Sequence, residues 1–241
     1  MTTTLPPLRR QIIVPAGPAT AFAVFTDKIG AWWPVASHSV YGAQSTTAFR
    51  DGLLVETGPG GAESVWGEVL DWQPPALLRM TWHPGHGVER ASQVEVTFVP
   101  VTDTQTLVTV THTGWERAAA RDEYRRGWPL VLAGYSAQVP PAEPGEGPVW
   151  LVLSHTPAPG VADPFTHPGF AGHSAWLEGV RDLGLLVGAG PFPGSGEGMT
   201  IVQLDDPATA AALLRSANED DTSVSGGVLE VRARPWVLLL H

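Results

Sequence analysis

The stretch WGEVLDWQPPALLRMTWHPG, residues 66–85, decides how the first half of this chain folds. The two prolines of Gln73-Pro74-Pro75 lack backbone donors, so this segment reads as a turn between two runs of alternating character. With a period of two, residues 64–72 place Trp66, Glu68, Leu70 and Trp72 on one face. Residues 76–82 place Leu78, Met80 and Trp82 on one face, and Leu77, Arg79 and Thr81 on the other, continued by His83. Two such runs around a turn are the start of an antiparallel meander.

Outward from this hairpin the same pattern continues. Strands are expected at 52–57, 92–99 and 106–112, with GPGG at 58–61 as a further turn. Val94, Val96 and Phe98 share one face, as do Val108, Val110 and His112. Residues 8–14 read as a strand, and residues 19–25 as a helix whose apolar positions Phe22, Phe25 and Ile29 recur every three to four residues. At the far end, Trp128, Val131, Leu132, Tyr135 and Val139 mark one face of a helix, and Pro129 places the helix start close by, in the first turn. The fold class is α+β, with one curved antiparallel sheet gripping a long terminal helix.

The segment 140–148 carries four prolines and no large apolar side chain, and reads as a linker between domains at 1–139 and 149–241. The second half alternates differently. Strands are expected at 149–154, 185–187, 200–204 and 228–240, with helices at 169–183 and 207–217. The order βαββαβ is the ferredoxin-like pattern, whose sheets often pair across a homodimer.

Composition narrows the function classes. The 241 residues carry 14 basic against 24 acidic side chains, a formal charge of −10. That balance argues against nucleic acid and against an anionic membrane surface as partners. The absence of cysteine removes disulfides, thiolate metal sites and thiol catalysis, and Lys28 is the one lysine available for Schiff-base chemistry. No apolar run approaches the ~20 residues of a membrane span, and the amino-terminal residues lack a signal-peptide core. A cytoplasmic protein is expected, with neither cofactor nor metal. His83, His86 and His112 form only a weak metal pattern without carboxylate support.

The tryptophans are the strongest positive signal. Trp32, Trp66, Trp72 and Trp82, joined by Trp33, are placed by the alternation around one interior volume. Stiff aromatic walls suit a small apolar or aromatic molecule, although tryptophans in a meander are also ordinary core. Glu68 and His112 share faces with large apolar residues. They either polarise such a cavity through a hydrogen bond or pair for proton transfer.

On these motifs the first half resembles the Hsp90-ATPase-activator-like (AHSA1-like) branch of the START/Bet v 1-type superfamily, the SRPBCC proteins. The matching pieces are Val14-Pro15-Ala16 with Ala21–Phe25, Ala31-Trp32-Trp33-Pro34, WGEVLDWQPP (66–75), TWHPG (81–85), HTGWE (112–116) and YRRGWPLVLAGY (124–135). The resemblance implies a helix-grip fold with a cavity between sheet and helix, and a superfamily that binds lipids, hormones and polyketides and in a minority catalyses cyclisation or hydrolysis. The Hsp90 link belongs to eukaryotic relatives with an additional domain, so co-chaperone activity is not expected to carry over.

The second half resembles the YCII-related (YciI-like) family of dimeric ferredoxin-like proteins. GHSAWL (172–177), LLVGAGPF (185–192), IVQLDDPATAAAL (201–213) and VRARPW (231–236) carry the likeness. It implies a His–Asp site at His173 and Asp221, acid–base in role, with relatives that eliminate chloride from chlorinated rings. The usual Asp-Pro is here Asp221-Thr222, and residues 155–169 are irregular. His173 also shares a helical face with Phe170, Trp176, Leu177 and Val180, so it needs a buried partner in any case. The leading expectation is an apolar-ligand-binding protein whose second domain mediates dimerisation. The rival is a lyase-like or other acid–base enzyme working through His173 and Asp221.

Overall fold

The computed structural model describes residues 5–115, 117–142 and 149–236. It divides into two compact units, one bounded by Met1–Val99 and Val108–Ala142, the other by Pro100–Leu107 and Glu143–His241.

In the first, β1 (Leu8–Val14) is followed by α1 (Pro18–Thr26), α2 (Ile29–Trp32), β2 (Thr46–Arg50), β3 (Leu53–Thr57), β4 (Glu63–Gln73), β5 (Leu77–Trp82), β6 (Ser92–Thr102), β7 (Gln105–Thr113) and α3 (Ala118–Gln138). The seven strands form one sheet in the order β1-β7-β6-β5-β4-β3-β2. A mixed α+β unit with a large antiparallel sheet and a long closing helix is consistent with a helix-grip fold. Its core is the inward face of β5, β6 and β7 (Leu78, Met80, Trp82, Val94, Val96, Phe98, Val108, Val110) packed against Trp128, Val131, Leu132 and Tyr135 of α3. Those four positions of α3 fall three and four apart, the spacing that keeps side chains on one helical face.

Two readings of the sequence are corrected here. The strict alternation along β4 does not hold, because the strand carries a bulge on each side. Its register shifts against β3 between Leu54 and Val55, and against β5 between Val69 and Asp71. An extra residue reverses the facing of everything beyond it. Trp66 is fully buried, whereas Glu68 is exposed and Leu70 and Trp72 are 46% and 39% exposed. The second correction concerns Pro129, which lies inside α3 rather than in its first turn, since the helix begins at Ala118. Proline removes the N–H that would reach the carbonyl four residues back. That carbonyl, on Arg125, accepts instead from Arg10 Nη2 on β1 at 3.3 Å. The strand β2 and the short helix α2 had no counterpart in the sequence reading.

The seating of α2 on α3 depends on missing side-chain atoms. A Cβ at Gly134 would lie 2.7 Å from the Trp32 carbonyl oxygen, and one at Gly127 3.1 Å from His38 Nε2. Seven residues apart, the two glycines fall on one face of α3.

The second unit holds β8 (Val149–Pro157), α4 (Ala171–Asp182), β9 (Leu186–Pro191), β10 (Gly198–Leu204), α5 (Pro207–Glu219), α6 (Thr222–Ser225) and β11 (Leu229–Pro235). Its four strands are ordered β11-β8-β10-β9, with β8 antiparallel to both β10 and β11. Alternate residues of β8, Val149, Leu151, Leu153 and His155, are buried. Pro140–Ala142 form no regular element. The remainder of the expected linker (143–148), Glu116 of the HTGWE motif and residues 237–240 of the last expected strand lie outside the described residues.

Gly134→Ala should lower the stability of the first unit by about 1–3 kcal/mol through overpacking, although alanine favours helix over glycine by roughly 1 kcal/mol. Urea unfolding followed by tryptophan fluorescence measures this. An unchanged or raised midpoint would mean that α2 is not seated through Gly134.

Candidate functional site

The bulges of β4 and the close approach of α2 to α3 bring four indoles together. The Trp33 ring centroid lies 5.2 Å from that of Trp66, 5.5 Å from Trp82 and 6.3 Å from Trp128. A cleft of about 270 Å³ opens against this group, lined by Trp33, Trp82, Tyr124, Trp128 and Val131, with His38, Glu123 and Gly127 also on its wall. The size suits a molecule of one or two rings, somewhat below the usual range of drug-sized pockets.

The indole N–H groups of the wall are already engaged. Trp33 Nε1 donates to the His38 carbonyl at 2.6 Å, Trp82 Nε1 to Tyr124 Oη at 3.1 Å, and Trp128 Nε1 to His112 Nδ1 at 3.2 Å. An indole nitrogen only donates. Nδ1 of His112 is therefore the acceptor and Nε2 carries the proton, given to Ser92 Oγ at 2.7 Å while Ser92 donates to the Trp82 carbonyl. Burial pushes the His112 pKa down to about 3. The ring is neutral at pH 7 and aligns Trp128 behind the cleft instead of exchanging protons with a ligand. Burial also raises the Tyr124 pKa, with Glu123 adding to the rise and the Trp82 hydrogen bond opposing it.

Of the residues expected around a ligand, Trp82 lines this cleft, while Trp66 and His112 stand behind its wall. Trp32 packs into the core against Phe25 and Tyr135, its Nε1 bonded to the Val24 carbonyl at 2.9 Å. Trp72 contacts Phe22 and Phe49 at 5.3 and 5.4 Å, away from the indole group, and Glu68 faces outward. The buried carboxylate is Glu56. It accepts from Val40 N, Tyr41 N and Trp66 Nε1 at 2.8, 2.9 and 3.0 Å. Burial raises its pKa, but these bonds and one from Ser45 outweigh that effect and hold the carboxyl below its ordinary value. Glu56 thus fixes Trp66 and the 39–42 loop. Its signal was the alternation of Leu54 and Glu56 on β3. The contributions of Trp33, Tyr124 and Trp128 depended on where α2 and α3 cross.

In the second unit, His173 Nδ1 lies 2.7 Å from Asp221 Oδ2, and both side chains are buried. Asp221 Oδ1 accepts from Ser223 N at 2.9 Å, and Ser223 Oγ accepts from His173 N at 2.8 Å. A Cβ at Gly172 would meet Thr222 Oγ1, so the glycine lets α4 and α6 approach closely enough for this pairing. Sequence reasoning missed His155. It lies on the buried face of β8, with its ring 4.4 Å from that of His173 and Nε2 3.1 Å from Thr200 Oγ1. Burial, with His173 adding to it, pushes the His155 pKa down to about 3. Among the described residues no group of three or more His, Asp or Glu side chains is arranged to hold a metal ion, and no helix is long and apolar enough to cross a membrane.

A sheet closed by a long helix, with an aromatic cleft between them, is consistent with a helix-grip fold. The chain belongs to the family described as activator of Hsp90 ATPase homolog 1-like protein, which matches residues 15–135. Similar solved structures include protein MLL2253 from Mesorhizobium loti, at 18% identity, covering 55% of this chain and 95% of that one, with a TM-score of 0.43. The Aha1 dimer from Colwellia psychrerythraea is 15% identical, covering 56% and 96%, with a TM-score of 0.40. The self-sacrificing resistance protein CalC from Micromonospora echinospora is 23% identical, covering 56% and 94%, with a TM-score of 0.39. No curated protein matches the chain.

The buried neutral His112 makes a pH prediction. Its folded pKa lies below the ordinary 6.5, so as pH falls below 6.5 the unfolded chain takes up a proton that the folded chain refuses. The stability it contributes is complete above that value and falls by about 1.4 kcal/mol per pH unit toward the folded pKa. Urea unfolding at pH 7 and pH 5 should show a smaller loss for His112→Gln than for the unsubstituted chain. Equal losses would show that His112 is not a titrating group.

Proposed function

We propose that the first unit binds a flat, largely apolar aromatic molecule in the cleft between α3 and β5. The observation that carries this reading is that Trp33, Trp82 and Trp128 all line the cleft while each indole N–H is satisfied within the protein. The three indoles therefore offer the cleft carbon surface and no free donor. Burying ~300 Å² of ligand surface against it is worth roughly 7 kcal/mol before ordering costs. Ordering and association costs subtract from that figure, so the affinity is weaker than the roughly 10 μM that 7 kcal/mol alone would give.

The second unit is read as a YCII-related, ferredoxin-like domain at 149–241, joined to the first at 140–148 and forming a homodimer. The order β8-α4-β9-β10-α5-β11 supports that reading. A second function is favoured by one specific contact, the 2.7 Å bond between His173 and Asp221. Asp221 orients the His173 ring through Nδ1, leaving Nε2 as the acid–base atom for a small substrate.

Naphthalene is the probe for the first reading. Added to the 15N-labelled chain, it should shift the indole N–H signals of Trp33, Trp82 and Trp128 and leave those of Trp150 and Trp176 in place. Val131→Trp, which fills the cleft, should weaken its binding at least ten-fold, whereas His173→Asn should not. Unshifted indole signals, or undiminished binding by V131W, would sink the cleft assignment. For the second reading, chloride release from a chlorinated dihydroxybenzene should disappear in His173→Asn. Release that persists in that variant would remove His173 from the chemistry.

A further inference from the structure

A second cleft, of about 180 Å³, lies in the same unit on the other side of the wall formed by Trp82 and Tyr124. His83, at the end of β5, is 6% exposed and lines it. Its Nδ1 is 3.0 Å from the His86 carbonyl, which only accepts, so Nδ1 carries the proton. Nε2 is the ring nitrogen left over, and this buried atom has no hydrogen-bond partner among the described residues. Buried polar atoms without partners are rare, and one lining a cleft marks a place where a ligand donor fits.

Positive charge surrounds the same cleft. Arg90 and Arg117 line it, and neither makes an ion pair with a carboxylate among the described residues. Arg90 Nη1 has only a long contact, 3.5 Å, to His86 Nδ1. Arg117 is also the N-cap of α3, which has no side-chain cap and no acid in its first turn, and Ala120 of that turn lines the cleft. The free N–H groups and dipole at such a helix start add to the attraction for an anion. Trp115 also lines the cleft and supplies an aromatic wall. Glu123, exposed on the wall shared with the first cleft, opposes a second negative charge.

We infer that this cleft binds a small aromatic hydroxy acid as its monoanion, the hydroxyl donating to His83 Nε2 and the carboxylate held by Arg90 and Arg117. A ring nitrogen and two guanidinium groups with no partner of opposite kind among the described residues, together with aromatic walls, match that chemistry. A phosphate dianion meets Glu123 and has no use for the rings. The inference is independent of the ligand assigned to the first cleft.

Isothermal titration of the whole chain at pH 7.5 with 4-hydroxybenzoate, benzoate, methyl 4-hydroxybenzoate and inorganic phosphate tests it. The hydroxy acid should bind at least ten-fold more tightly than benzoate, which lacks the hydroxyl, and than the ester, which lacks the charge. His83→Phe should bring the hydroxy acid down to the level of benzoate. Arg90→Gln combined with Arg117→Gln should bring it down to the level of the ester. Saturating naphthalene should leave all four affinities unchanged, which separates this site from the first cleft. Benzoate binding as tightly as the hydroxy acid to the unsubstituted chain would overturn the assignment, and that comparison requires no variant to fold. Tighter binding of phosphate, or no binding of the hydroxy acid at millimolar concentration, would do the same.

Discussion

A buried indole must find an acceptor for its single N–H, and in the first unit that requirement organises the structure around the cleft. Six tryptophans there are buried, and each donates to a different atom: Trp32 to the Val24 carbonyl, Trp33 to the His38 carbonyl, Trp66 to Glu56, Trp82 to Tyr124, Trp115 to the His112 carbonyl and Trp128 to His112 Nδ1. An unmatched N–H in such a core costs about 1–3 kcal/mol, so the acceptors are as much a part of the core as the rings. This explains why an ionised glutamate and a neutral histidine are tolerated in fully buried positions. Glu56 gains three N–H donors in place of water, and His112 uses one ring nitrogen to accept and the other to donate.

The same requirement links the fold to the cleft. The indoles meet only because α2 and the loop after it approach α3 at two glycines, and because β4 carries bulges that turn Trp66 inward. α3 keeps its path through Pro129 because the carbonyl that loses its partner is met by Arg10. With their N–H groups satisfied inside, the indoles lining the first cleft show it only carbon, and hydrogen-bonding capacity accumulates instead on the far side of Trp82 and Tyr124. Two clefts of different chemistry share one aromatic wall. The second unit follows the same logic on a smaller scale: the α4–α6 contact at Gly172 brings His173 within reach of Asp221, and Trp176 donates to Ser216.

Much of this was legible in the residues. The meander from β3 to β7 followed from alternation and from Gly/Pro turns, and the buried face of α3 from apolar spacing. Both depend on local geometry, which repeats with a fixed period. The errors arose where the period breaks. A bulge has no compositional mark, so the exposed Glu68 was grouped with Trp66 on one face. Pro129 argued for a helix start because the compensating donor, Arg10, lies 115 residues away along the chain. α2, a single turn, is too short for a periodic signal to emerge.

The sequence alone determined the α+β character, the run of strands from β3 to β7, the presence of a large aromatic core and the need of His173 for a buried partner. Each of these rests on residue type and on spacing within one element. Only the tertiary structure decided which tryptophans face a cleft, that Glu56 and not Glu68 is the buried carboxylate, that His155 lies beside His173, and that His83 Nε2 has no partner among the described residues. Those depend on bulges, on close helix contacts at glycine and on hydrogen bonds between residues distant in the chain. Such contacts are set by how the elements meet, and no single element's pattern records them.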